Sequence, residues 1–262
     1  MNSDSHCDDG YSHAPQPVPE PIKDYCLEAV VICDQYGDFL RHTLKENKFL
    51  FDRIVVVTSY EDRETRRVCE FYHVECIPTD VLESRKGNFR KGAGIQAGLD
   101  ALSRKDWVVH LDADIWLPPQ TRNLLRAAEL DRTMLYGIDR FLVKGPDAWH
   151  EFLERPVMKL QHEDYTWVHT DAFPIGTRVC AYGGYLPLGF FQLWHPGVSG
   201  IKTYPADHTT AARGDVAFGA QWARGKRGFI PELIGYHLES EDAAHGSNWN
   251  GRTTARFSMG SH

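Results

Sequence analysis

The sequence predicts one α/β domain organised on a nucleotide-binding type of parallel sheet, and three observations carry that expectation. Short apolar runs rich in Val and Ile alternate with amphipathic helical patterns along the first half of the chain. Each run is separated from the next by a helix-length segment rather than a tight turn, and such crossovers join parallel strands with right-handed sense. The chain has 262 residues, 42% hydrophobic and 25% charged, an ordinary globular composition with room for one large core.

The elements follow in order. Residues 1–24 are polar, with four prolines between Pro15 and Pro21, and are expected to form a disordered or loosely attached tail. The domain then spans 25–262. "CLEAVVIC" reads as a buried strand, "DFLRHTLKENKFL" as an amphipathic helix, "RIVVVTS" as a second strand and "EDRETRRVCEFYHV" as a second helix. "ECIPTD" is a short strand. "NFRKGAGIQAGLDALSRK" is a helix whose Gly92, Ala93, Gly94, Ala97 and Gly98 leave one face thin enough for backbone or ligand to approach. "DWVVHLD" is a further strand, and "PQTRNLLRAAEL" a helix with Pro119 at its start. These residues, 25–132, make a nucleotide-binding half. Residues 133–240 are aromatic, Gly-rich and Pro-rich ("YGIDRF", "AYGGYLPLGFFQLWHPG"), which predicts antiparallel strands and long loops. Within them "DVAFGAQWARG" is a short helix and "RGFIPELIGYHLES" contains a strand ending near His237. Residues 241–262 form a polar, flexible C-terminal segment.

Composition also excludes. A net charge of −7 argues against a broad nucleic-acid groove, because phosphate affinity comes from clustered Lys and Arg. Cys7, Cys26, Cys33, Cys69, Cys76 and Cys180 contain no C-x-x-C pair, so they are read as reduced thiols in a cytoplasm. No apolar run approaches the roughly 18 residues of a spanning helix, and the N-terminus lacks the pattern of a signal peptide.

The chemistry concentrates where "WVVHLDADIWLPP" ends its strand. With 21 aspartates in the chain, on the order of one or two D-x-D pairs arise by chance, so spacing alone means little. Context gives it meaning. Residues i and i+2 of an extended segment share a face, so Asp112 and Asp114 project together from the carboxyl end of a strand, where ligands of open α/β sheets bind. Two such carboxylates repel unless a cation lies near them, and a hard divalent ion suits carboxylate and phosphate oxygens. The competing reading is a turn, which Asp also favours. At neighbouring strand ends, Asp34, Thr58 and Ser59 are candidate nucleotide contacts. Arg90 and Lys91, opening the thin helix, are placed to meet phosphate or else form a solvated basic pair.

The order strand, helix, strand, helix, then "FRKGAGIQAGLDAL", then "WVVHLDADIWLPP", resembles the nucleotide-sugar-dependent glycosyltransferases of the GT-A fold, the family-2-like group in particular. In that family an Arg/Lys-Gly helix with a second Gly six residues on precedes a strand ending in D-x-D, as "RKGAGIQAG" precedes "LDAD". The resemblance covers Glu28 to Leu117 and, more loosely, the surroundings of His237; Thr133 to Arg213 align only in general character. It implies a mixed sheet flanked by helices with an antiparallel acceptor-side portion, a Mn²⁺ or Mg²⁺ ion, and a nucleotide diphosphate sugar, a UDP-sugar foremost, as donor. Asp114 would bind the metal that bridges the diphosphate, and Asp112 the ribose, the metal or a metal-bound water. His237, otherwise read as a satisfied core residue, would be a third ligand, and an imidazole beside carboxylates favours Mn²⁺ slightly.

The resemblance also implies a base. Transfer with inversion requires a carboxylate to take the acceptor's proton, and Asp215 occupies the place of the family's acidic motif, although Gly214 stands where many members carry an acid. A helix N-cap is its ordinary reading, and Asp207 is the alternative base. "HGSNWNGR" resembles the C-terminal segments that fold over the diphosphate, so His245, Trp249 and Arg252 are candidates to close the site. Trp194, with Tyr182, Tyr185, Phe190 and Phe191, is read as core in preference to a sugar platform.

The expectation is therefore a metal-dependent, inverting glycosyltransferase acting on an acceptor hydroxyl of a protein, glycan, small metabolite or modified DNA base, the last disfavoured by charge. A nucleotidyltransferase would show a Gly-rich, basic loop after its first strand, where "CDQYGDF" is acidic. A non-catalytic nucleotide- or sugar-binding module would leave the aspartates structural.

Overall fold

The computed structural model describes residues 25–83, 88–154, 185–244 and 246–258; the expected N-terminal tail, His245, Tyr182, Cys7 and Cys180 lie outside them. β1 (Leu27–Ile32) and β2 (Arg53–Ser59) are buried along almost their whole length, as continuous apolar runs require when both sheet faces are covered. Alternation along β1 sorts its side chains. Leu27, Ala29 and Val31 join Leu40, Leu44 and Val68 of one helical layer, made by α1 (Gly37–Asn47) and α2 (Arg63–Tyr72). Val30 and Ile32 join Ile95 and Leu99 of α3 (Lys91–Ala101) on the other face.

β3 (Glu75–Thr79), β4 (Trp107–Asp112), β5 (Ile115–Trp116), β6 (Leu135–Lys144), β7 (Phe191–Trp194) and β8 (Arg227–Glu239) complete one sheet in the order β3-β2-β1-β4-β7-β6-β8-β5. The first four in that order are parallel. β7 runs antiparallel to β4 and β6, and β5 antiparallel to β8. The long β6–β8 pair is parallel, with a register shift between Gly137 and Asp139, a pairing that the aromatic, loop-rich text of this half did not announce. Its connection includes α5 (Gly145–Glu154), β7, α6 (Pro196–Ser199) and α7 (Gly214–Gly219), so a crossover of that length is free to return in parallel.

α2 begins at Asp62, whose side chain accepts from Thr65 N–H at 3.0 Å, and ends at His73 in the left-handed region. Gly94 and Gly98 of α3 lie against the sheet, where a Cβ would crowd Ile32 and Val30, whereas one at Gly92 would run into the Pro205 carbonyl of the 200–213 stretch. α4 (Thr121–Ala127) follows the Pro118–Pro119 break. Trp194, Phe190 and Phe191 are buried, as the core reading expected. Phe257 is buried against Phe39 and in one cluster with Trp149 and Tyr236, which ties the chain's end to α1. Cys26, Cys33, Cys69 and Cys76 are free thiols, and among the described residues no helix is long and apolar enough to cross a membrane.

Candidate active site

A cavity of about 530 Å³ opens at the carboxyl ends of β1 and β4, the position that open α/β sheets reserve for ligands. Asp34, Lys91, Asp112, Asp114, Asp215, His237, Trp249 and Arg252 all line it. Residues scattered over more than two hundred positions of sequence meet there.

The backbone of the D-x-D turn is held from α1. Thr43 Oγ1 donates to the Ala113 carbonyl at 2.6 Å, Asn47 Nδ2 donates to the Ile115 carbonyl at 2.7 Å, and Leu117 N–H donates to Asn47 Oδ1 at 2.9 Å. Both side chains are buried, so these bonds stand in for the strand pairing that the turn lacks. On the other side β5 pairs with β8 so that Ile115 faces His237, and Leu238 N–H donates to the Asp114 carbonyl at 2.9 Å. That register brings His237 Nε2 to 3.3 Å from Asp114 Oδ2.

The two aspartates have separate companions. Asp112 Oδ1 accepts from Lys91 Nζ at 2.5 Å and lies 3.5 Å from His110 Nε2. Burial raises the Asp112 pKa against the pull of Lys91, and the neighbouring Asp114 raises it further. Burial also acts to raise Asp114, but His237, by charge and hydrogen bond, together with Lys91 and Arg140, outweighs it and holds that carboxyl below its usual range. Asp114 Oδ1 is buried without a hydrogen-bond partner. A buried carboxylate oxygen left unpaired is costly unless a cation or donor meets it. Among the described residues no group of three or more His, Cys, Asp or Glu side chains is gathered closely enough to grip an ion as it stands.

Asp215 lies in the first turn of α7, whose N-cap is Arg213 in the left-handed region (φ 70°), so Asp215 is not the cap that its sequence position invites. Its Oδ2 accepts from Gly189 N–H at 3.0 Å. Tyr204, buried and donating to Gln192 Oε1 at 2.9 Å, has its hydroxyl pKa raised by burial first and then by the charges of Asp215 and Asp112. It therefore feels both acidic poles of the cavity.

Other sequence candidates lie outside the lining or are already engaged within it. Thr58 is buried and bonds to Asp62, and Ser59 donates to Asp34 Oδ1 at 2.5 Å, so it supports a lining residue without lining the cavity itself. Arg90 pairs with Glu83 at 3.6 Å and donates to the Ala206 carbonyl, away from the lining that Lys91 joins. Asp207 is exposed and outside the lining. Arg252 touches the cavity, but its nitrogens are engaged: Nη1 and Nη2 grip Asp38 at 2.5 and 2.9 Å, and the Gln35, Thr254 and Ala255 carbonyls accept the rest.

The lining also contains Tyr36, Arg140 and Glu239, which sequence reasoning missed. Glu239 Oε1 lies 3.8 Å from His237 Nδ1. A signal existed for it, since "HLE" puts Glu239 two residues from His237 on one strand and hence on the same face. Nothing local marked Tyr36 or Arg140.

Residues 30–179 match the sequence profile described as Glycosyl transferase family 2, which is more than half of the chain. The chain belongs to glycosyl transferase family 2. As a member it is a glycosyltransferase, and its eight described strands with flanking helices form the GT-A sheet. Solved structures similar to this family 2 chain include glucosyl-3-phosphoglycerate synthase from Mycobacterium tuberculosis in complex with Mn²⁺, UDP and phosphoglyceric acid. The identity is 12% and the TM-score 0.49, with 82% of this chain and 71% of that one covered. Mannosyl-3-phosphoglycerate synthase from Rubrobacter xylanophilus is similar at 20% identity and TM-score 0.35, over 47% of this chain and 42% of that one. No curated protein matches the chain.

Proposed function

We propose that this family 2 enzyme moves a sugar from a nucleoside diphosphate sugar, a UDP-sugar foremost, to an acceptor hydroxyl, with inversion and with a divalent cation at the D-x-D. The observation that carries this reading is the meeting of Asp112, Asp114 and His237 with Asp215, from a separate element, around one cavity at the strand ends. The donor set fits Mn²⁺ or Mg²⁺: two carboxylates, one with a buried oxygen lacking a partner, and an imidazole. Bound there, the ion would neutralise charge on the departing diphosphate.

The chain's own groups supply the rest. Asp215, fixed by the Gly189 amide, takes the proton of the acceptor hydroxyl as the new bond forms. Lys91, at the N-terminus of α3, offers its ammonium to the phosphates, with the helix end favouring the same charge. Asp34, oriented by Ser59, accepts from the ribose or base. Residues 246–249, with Gly251 and Arg252, wall the cavity and reduce water access to the sugar phosphate. On this reading residues 25–132 hold the donor and 133–240 present the acceptor.

Calorimetry of UDP and GDP with and without Mn²⁺ tests the core of the proposal. Nucleotide binding is expected to depend on the metal, and Asp114→Asn to abolish that dependence. Metal-independent binding, or an Asp114→Asn protein that binds and turns over normally, would remove the metal assignment. A donor panel scored for hydrolysis without acceptor, followed by mass spectrometry of products, identifies the sugar.

A further inference from the structure

Each carboxylate of the D-x-D already has a cationic or potentially cationic neighbour from the protein. For Asp112 that neighbour is Lys91, at 2.5 Å, with the two side chains only 17% and 24% exposed. The lysine is the first residue of α3, whose Gly94 and Gly98 are pressed on the sheet, whose Gly92 packs on the Pro205 carbonyl, and whose start is braced by Phe89 N–H donating to the Thr209 carbonyl. The ammonium is thus delivered to Asp112 by a rigid element. Asp114 faces the other way, to His237, and keeps one buried oxygen without a partner.

We propose that Lys91 is the resident counter-ion of Asp112, so that a divalent cation gains this carboxylate only when a nucleoside diphosphate arrives with it and draws the ammonium onto its phosphates. The inference rests on the metal reading of the D-x-D given above and adds an order to it. A bare metal ion meets a carboxylate whose Oδ1 is already held by an ammonium, a like charge within contact distance, which opposes its entry. A metal with a diphosphate brings negative oxygens, and Lys91 exchanges one anionic partner for another without being left buried and unpaired. Lys91 is therefore a positioning residue for the free enzyme and a phosphate contact in the loaded one.

Mn²⁺ binding, read from the electron paramagnetic resonance of free Mn²⁺, tests this without reference to turnover. Wild type, Lys91→Met, Lys91→Gln and Lys91→Arg are titrated with Mn²⁺ alone and with UDP, GDP, ADP or CDP present, after circular dichroism confirms native folding. The expected result is that Lys91→Met and Lys91→Gln bind Mn²⁺ alone at least about tenfold more tightly than wild type, removal of a contact-distance like charge being the cause. Lys91→Arg should stay as weak as wild type. The strengthening of Mn²⁺ binding by nucleotide should be smaller in the neutral variants than in wild type. Equal Mn²⁺ affinities without nucleotide in wild type and both neutral variants, with nucleotide-dependent Mn²⁺ binding retained, would overturn the role of Lys91 and leave the metal site standing. Absence of Mn²⁺ binding in every protein with every nucleotide would overturn the metal reading and this inference with it.

Discussion

Two walls of the cavity carry charge, and they use it differently. At the sheet end, Asp112, Asp114, Lys91 and His237 meet through contacts of 2.5 to 3.3 Å, yet Asp114 keeps a buried oxygen unpaired. On the C-terminal side, Arg252 and Asp38 are 7% and 5% exposed, joined by two parallel bonds, and the Asp38 carboxylate also accepts from Phe257 N–H at 2.6 Å. Tyr36 and Phe39 lie under the guanidinium. The first wall has capacity left for a ligand and the second has closed on itself. Lining a cavity does not make a charged side chain a ligand contact; what already holds it decides.

The largest effect should come from the pole that faces the acceptor. Asp215→Asn keeps the shape and one acceptor oxygen for the Gly189 amide, gives up the bond from Val216 N–H, and removes the proposed base, so transfer should fall by about 10²- to 10⁴-fold, with metal-dependent nucleotide binding unchanged by calorimetry. If nucleotide binding falls in parallel, Asp215 belongs to the donor side and the division between the poles is wrong.

The next test breaks the closed wall. Arg252→Met leaves the Asp38 carboxylate buried without its counter-charge, a loss of about 3–5 kcal/mol for a pair of this kind, to be read from urea unfolding. The folded fraction should bind UDP with Mn²⁺ within about twofold of wild type, well under the 1.4 kcal/mol that a tenfold change represents. A large loss of nucleotide affinity at unchanged stability would return Arg252 to the diphosphate, the role that the resemblance gave it.

A smaller effect is expected from the support beneath the D-x-D. Asn47→Ala strands the Ile115 carbonyl and the Leu117 amide, at a cost of about 1–3 kcal/mol, and should weaken Mn²⁺–nucleotide binding although Asn47 is no part of the cavity lining. Unchanged metal binding would mean that β8 alone fixes the turn.

These cases also show what sequence could convey. β1, β2 and β4 were legible because strands buried on both faces read as unbroken apolar runs, and α3 because its small residues, Gly94 and Gly98 above all, marked a face that packs closely on the sheet. That Asp112, Asp114 and His237 would meet at one cavity was legible through motif order. The parallel β6–β8 pairing was not, since nothing local in an aromatic, loop-rich stretch states which strand will be its neighbour. Nor was the Asp38–Arg252 pair, whose members stand 214 positions apart. "HGSNWNGR" is mostly polar, and polarity alone does not distinguish an arginine waiting for phosphate from one already gripped by a buried carboxylate.

The smallest expected effect concerns Asp207, the alternative base. It is exposed, lies outside the cavity lining, and sits on the stretch between Tyr204 and Arg213 that bonds to Phe89 and, through Ala211 N–H at 2.7 Å, to the Trp249 carbonyl. A solvated carboxylate there lacks the place in the cavity lining and the fixed Gly189 partner that aim Asp215. Asp207→Asn should change stability by no more than about 0.5 kcal/mol and leave kcat within about twofold, because a general base must reach the acceptor's proton directly or through one water. A hundredfold fall in kcat with normal nucleotide binding would move the base onto this stretch. The Gly189–Asp215 contact would then be a structural tie of the same kind as Asp38–Arg252.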